Sequence, residues 1–298
     1  MNNTIFKELS NFQKLFAFIL LLFCCSILVT SIGLELVNTL IDNNFSINNN
    51  NAFIDNNSIR GLKVVTLFSH LGTFIIPALI FLTYFSSYKK SYFNLKIKKK
   101  RFFLTIPILF IGISILSEWS LLLNHQVNFS LLSENIALYI EESQQNSELL
   151  ISRFIGTTWL SFLGNVFVIA IIPAIGEELT FRAVLQPLFI NASNKKQISI
   201  LFVAFIFAFI HFQFMDFIPR FFLGVVYGYL FYFTKNILYS IALHFLNNFF
   251  ALALLFASTK YNLEIEAVFT QYSFTLVLGL LFTWLGVSIF YQEKAKIG

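Results

Sequence analysis

Charge is scarce in this chain. Only 12% of its 298 residues are Asp, Glu, Lys or Arg, about half the ~25% of an ordinary soluble domain. That shortage excludes a surface built to face water on all sides. Cysteine is scarcer still: Cys24 and Cys25 are the only two, and they are adjacent within an apolar run. Neighbours on a helix point in different directions, so a disulfide framework, a zinc-ligand spacing and a redox pair are all excluded. No internal repeat occurs. What fills the chain is apolar: 57% of it is hydrophobic, with 40 Phe residues.

The apolar residues fall into eight segments, roughly 14–41, 62–87, 102–124, 155–186, 197–214, 219–233, 237–258 and 270–291. A run of ~18 or more apolar residues with few charges is long enough to cross a bilayer. The fold class expected is therefore all-α, a polytopic transmembrane helical bundle of about eight spans. The first run follows a polar start and has no small-residue cleavage site, which predicts a retained span. Pro173 predicts a kink or break in the long fourth segment, and Pro187 predicts its end. Pro219 suits the first turn of the sixth. Residues 42–60 are Asn-rich and read as a polar loop. Residues 131–150 carry Glu134, Glu141, Glu142 and Glu148 among Leu and Ile, the pattern of an amphipathic helix at the membrane surface. The expected organisation is residues 1–150 as N-terminal membrane helices with that surface helix, and 151–298 as the core that carries chemistry.

A net charge of +5 does not imply nucleic acid, because the basic residues are concentrated. Seven of 20 lie in one loop, Lys89, Lys90, Lys96, Lys98, Lys99, Lys100 and Arg101. Such a cluster beside membrane spans is a topology signal and a contact for anionic lipid. With a cytoplasmic N-terminus, fourteen Lys and Arg fall in inside segments and five outside, with Arg182 within a span. The positive-inside bias places both termini in the cytoplasm.

Ionisable groups inside spans are costly and mark candidate functional positions. The fourth segment contains Gly176-Glu177-Glu178-Leu179-Thr180-Phe181-Arg182. Glu178 and Arg182 are four apart and can pair across one helical turn. Glu177, about 100° round the helix, is left to face something else, as a general base would. The fifth segment holds His211 after Phe207-Ala208-Phe209-Ile210, and the seventh holds His244-Phe245-Leu246-Asn247-Asn248. His244 and Asn248 share a face, so two donors can converge on one developing oxyanion. Each motif also has a plainer reading, in which a structural ion pair or interhelical hydrogen bonds hold the bundle together. His70 and His125 are assigned to that structural class. At about 1.5 Å per residue, His211 lies about 21 Å and His244 about 13 Å from the nearest cytoplasmic lysines, and Glu177 about 15 Å from a helix end at Pro187. This arithmetic suggests one cavity open to the cytoplasm. No His-Glu-x-x-His, Gly-x-Ser-x-Gly or Gly-x-Gly-Asp sequence occurs, so zinc, serine and aspartyl proteases lack their usual markers.

Glu177-Glu178-x-x-x-Arg182, Phe207-x-x-x-His211 and His244-x-x-x-Asn248, in this order on successive apolar helices, resemble the CPBP family. These are the CAAX proteases and bacteriocin-processing enzymes, also called the ABI family of glutamic intramembrane endopeptidases. The resemblance spans about residues 155–258. It implies a helical bundle with a cytoplasm-facing cavity and water activation without a tightly bound metal. It further implies Glu177 as general base with His211 as partner, His244 and Asn248 as oxyanion donors, and Glu178 with Arg182 in support. It implies a peptide or membrane-protein substrate, with bacteriocin processing or immunity among the family's roles. All motif positions are filled, which argues against a degenerate pseudoenzyme. The Phe, Asn, Ile and Lys richness resembles an AT-rich bacterial genome, hence a bacterial cytoplasmic membrane, where a prenylated substrate is not expected. Two alternatives stand beside this reading. One is a zinc protease using Glu177, His211 and His244. The other is a non-enzymatic immunity or scaffold protein. A transporter is disfavoured by the lack of repeats.

Overall fold

The computed structural model describes residues 8–41, 45, 56–85, 102–131, 133–263 and 273–295. The basic cluster Lys89–Arg101, with its expected lipid contact, lies outside the described residues, as does most of the Asn-rich loop. Helix α1 (Asn11–Leu40) opens with a capping box between Ser10 and Gln13. Helices α2 (Asn56–His70) and α3 (Ile76–Tyr84) are one rod, joined by a π turn at Leu71–Ile75. Then come α4 (Phe102–His125) and α5 (Glu134–Ile155), the latter being the expected amphipathic helix. Gly156, at φ 63°, takes the left-handed conformation that ends α5. Helices α6 (Trp159–Asn165), α7 (Ile172–Glu178) and α8 (Gln186–Ser193) again form one rod through π turns at Val166–Ile171 and Leu179–Leu185. The chain continues as α9 (Lys196–Phe209), α10 (Phe217–Thr234), α11 (Ile237–Tyr261) and α12 (Phe274–Ala295).

The protein is a polytopic helical bundle, with no strand among the described residues. Six helical runs are long and apolar enough to cross a membrane, and α9 and the apolar part of α12 are shorter. One proline expectation fails. Pro187 does not end its helix, which runs on to Ser193. Proline breaks a helix because it lacks an N–H and crowds the preceding turn. Here it sits in the first turn after a widened π turn, where a missing N–H is tolerated. Pro173 follows the Val166–Ile171 π turn in the same way, so the expected break is a bulge inside a continuous rod.

The α6–α8 rod is the centre of the bundle. Its Leu179, Phe181, Val184, Leu185 and Leu188 pack with Phe18 of α1, Phe81 of α3 and Phe207 of α9. On α10, Gly224 and Gly228 stand one turn apart against Ala204 and Ile200 of α9. This spacing of small residues lets two backbones approach in a membrane.

The two ends of the bundle differ. At one end Asn11 and Lys14 meet Phe85 and Pro187 around a small cleft, and the ammonium groups of Lys196 and Lys235 lie over the Tyr232 ring. At the other, Lys63 donates to Ser161 Oγ at 2.8 Å, and Lys260 lies 4.2 Å from the centre of the Trp159 ring. Tryptophan and lysine of this kind favour a membrane–water boundary.

Candidate active site

The Glu178–Arg182 pair joins the rod to two other helices. Arg182 Nη1 donates to Glu178 Oε1 at 2.9 Å, the i,i+4 contact that the sequence spacing requires. His244 Nδ1 of α11 meets the same oxygen at 2.9 Å. Arg182 Nη2 donates to the Gly224 carbonyl of α10 at 3.0 Å, and one turn on, Gln186 repeats that contact on Gly228 at 3.0 Å. The Arg182 guanidinium also lies over the rings of Phe207 and Tyr227. Glu178 and Arg182 are fully enclosed. A buried carboxylate and guanidinium are tolerable only when paired; these are paired through Glu178 Oε1, while Glu178 Oε2 and Arg182 Nε are buried without a hydrogen-bond partner.

Glu177 points elsewhere, as its place one residue round the helix requires. It lines a cavity of about 400 Å³ together with His211, His244, Asn248 and Tyr227. His244 Nε2 stands 3.7 Å from Glu177 Oε2, and its ring stacks on Tyr227 with centroids 5.0 Å apart. His211 follows the end of α9, where Phe212 at φ 52° turns the chain away. His211 Nδ1 lies 2.7 Å from the Phe207 carbonyl. A carbonyl only accepts, so Nδ1 carries the proton and Nε2 of the neutral ring holds a lone pair. Asn248 Nδ2 donates to the Ile169 carbonyl at 3.4 Å. That carbonyl is four residues before Pro173, so no α-helical N–H reaches it and it is open to another helix.

Four of the six sequence-assigned residues therefore share the cavity: Glu177, His211, His244 and Asn248. The other two, Glu178 and Arg182, stand behind it. The sequence reading missed Tyr227, Arg220 and Asn247, which also line it. Tyr227 Oη is buried without a protein partner. Arg220, one of the five basic residues counted as outside, is bonded to Gln213 and reaches Asp216 at 3.5 Å. His70, assigned to the structural class, lines the same cavity, and its Nδ1 is buried and unpartnered. One signal was available: Pro219-Arg220 places a charge in the first turn of an apolar helix.

The cavity is not at the end the sequence arithmetic indicated. Its wall runs through Thr66, Ile155, Ile169, Leu252 and Leu255, toward the Lys63–Trp159–Lys260 end. The depth estimate for Glu177 assumed a helix end at Pro187, whereas three further residue pairs of rod reach Ser193. Among the described residues no group of three or more His, Cys, Asp or Glu is placed to hold a metal ion.

A multi-pass helical bundle with buried Glu-Glu/Arg, His and His/Asn groups around one cavity is the class of architecture that the motifs imply. Residues 159–250 match the family model described as Type II CAAX prenyl endopeptidase Rce1-like. The match covers under a third of the chain and contains all six assigned residues, so this stretch is similar to that family. No curated protein and no solved structure matches the chain.

Proposed function

We propose that the chain is an intramembrane glutamic endopeptidase that cleaves a membrane-associated peptide or protein. The observation carrying this reading is the convergence of Glu177 of α7, His211 just past α9, and His244 and Asn248 of α11 on one cavity. A water between Glu177 and His211 attacks the scissile carbonyl carbon as Glu177 takes its proton. His211 accepts a hydrogen bond from the water through Nε2, because Nδ1 is committed to Phe207. The carbonyl oxygen becomes an oxyanion, met by an Asn248 N–H and by His244 Nε2–H when that ring is protonated and held by Glu178. Collapse of the intermediate breaks the C–N bond, and the Glu177 proton leaves with the amine. Glu178 and Arg182 keep His244 in place and need not touch substrate.

The finer assignments belong to the same proposal: a bacterial cytoplasmic membrane, cytoplasmic termini, and a bacteriocin-type peptide or membrane-protein substrate. Comparing peptides from cells that express the chain with those from cells that express Glu177→Ala tests the activity. Products that depend on Glu177 are expected. An unchanged product set at equal protein levels would sink the proposal. Zinc chemistry through Glu177, His211 and His244 predicts stoichiometric metal in the purified protein and loss of cleavage on chelation. The network joining α7, α10 and α11 through Glu178 and Arg182 also suits a non-enzymatic immunity or scaffold role, which predicts function surviving Glu177→Ala and His211→Ala.

A further inference from the structure

We propose that the catalytic cavity opens on the outer, non-cytoplasmic face of the membrane, and that its substrate is a polypeptide segment presented from that side. The inference rests on the peptidase reading of the cavity. It joins two observations: where the cavity opens, and where the lysines are.

The cavity lining runs from the middle of the bundle toward the Lys63–Trp159–Lys260 end. On the α6–α8 rod the lining runs from Val168 to Glu177, and on α11 from His244 to Leu255. From α9 only Phe207 is contributed, with His211 just beyond its end. Ile151 and Ile155 of the surface helix α5 complete that side, and Ile151 is 40% exposed. Toward the opposite end the bundle is filled. Phe181, Leu185, Val203, Phe207 and Phe231 form a continuous buried cluster, and the Arg182–Gly224 and Gln186–Gly228 bonds cross it. A peptide has no route to Glu177 from there.

That filled end is where the basic residues gather. Lys14, Pro187 and Phe85 share a cleft, and Lys196 and Lys235 meet at Tyr232. Phe85 closes α3, and the seven basic residues between Lys89 and Arg101 follow it in sequence. The fourteen-to-five distribution assigns this end to the cytoplasm. The mouth therefore faces outward, and the substrate class becomes an exported peptide or an outward-facing loop of a membrane protein. The C-terminal helix agrees with this assignment: Val287 of α12 lies beside Phe233 of α10 and Leu109 of α4, toward the lysine end.

The test uses the full chain in intact bacterial cells, with Cys24 and Cys25 replaced by Ala. Single thiols are introduced as Thr157→Cys at the Trp159 end, Gln197→Cys at the lysine end and Ala251→Cys on the cavity wall. A membrane-impermeant maleimide should label Thr157→Cys and Ala251→Cys in intact cells, and Gln197→Cys only after permeabilisation. Labelling of Gln197→Cys in intact cells, or of Ala251→Cys only after permeabilisation, would overturn the proposal. Labelling does not require cleavage, so a failed peptidase reading leaves the orientation readable. If cleavage is found, Glu177-dependent sites should map to exported segments, and sites in cytoplasmic segments would overturn the substrate assignment.

Discussion

The first span and the fourth reverse the relation between apolarity and burial that holds in water. Helix α1 is the most apolar of the long helices, yet only 6% of its most apolar stretch is buried within the protein. The α6–α8 rod is less apolar, and 39% of its stretch is buried. Phe23 and Ile27 of α1 are each 65% exposed, while Glu178 and Arg182 of the rod are enclosed. In a bilayer the solvent is itself apolar, so the hydrophobic surface needs no cover and the polar groups are the ones that must find partners. Spans less apolar than α1 hold the fold together and carry the site.

The difference can be broken by mutation, most severely at Arg182. Arg182→Ala leaves the Glu178 carboxylate buried without its guanidinium, and a loss of about 3 to 5 kcal/mol is expected. Thermal unfolding in detergent measures it, and cleavage should vanish with the fold. Glu177→Ala separates activity from stability. Cleavage should fall ~10²- to 10⁴-fold, with the unfolding temperature close to that of the parent. Asn248→Ala should lower kcat by ~10²- to 10³-fold if its N–H meets the oxyanion; a change in KM alone would remove it from that role. Gly228→Leu inserts a Cβ that meets Ile200 Cγ2 at 2.8 Å, and overpacking of this kind costs about 1 to 3 kcal/mol. The smallest effect belongs to the lipid-facing helix: Phe23→Ala should change unfolding by under about 0.5 kcal/mol.

Much of the fold was legible because membrane helices announce themselves by length and apolarity. The eight apolar segments are largely helical among the described residues, and so is the amphipathic segment expected at 131–150, from Glu134 on. The Glu178–Arg182 pair followed from spacing alone, since i,i+4 geometry is local. The continuation past Pro187 was not legible, because a π turn has no residue pattern that hydropathy detects. Without it the depth of Glu177 was misjudged, and the cavity was expected at the lysine end. Tyr227 and Arg220 were missed for another reason. Their roles depend on how α10 is rotated against α7 and α11, and the Gly224 and Gly228 carbonyls that fix that rotation are backbone atoms without a side-chain signature.

The Glu178–Arg182 contact has a consequence for how the chain is made. Both residues lie on the same rod, so they can neutralise each other before α10 or α11 has been synthesised. A helix leaving the ribosome with a separated carboxylate and guanidinium would face a barrier of several kcal/mol to entering lipid. With the two cancelled inside one turn, Glu177 is the single uncompensated acid among the residues from Trp159 to Ser193. The rod can therefore cross the bilayer on its own and wait there, already carrying Glu177, for the partners that will be threaded in after it.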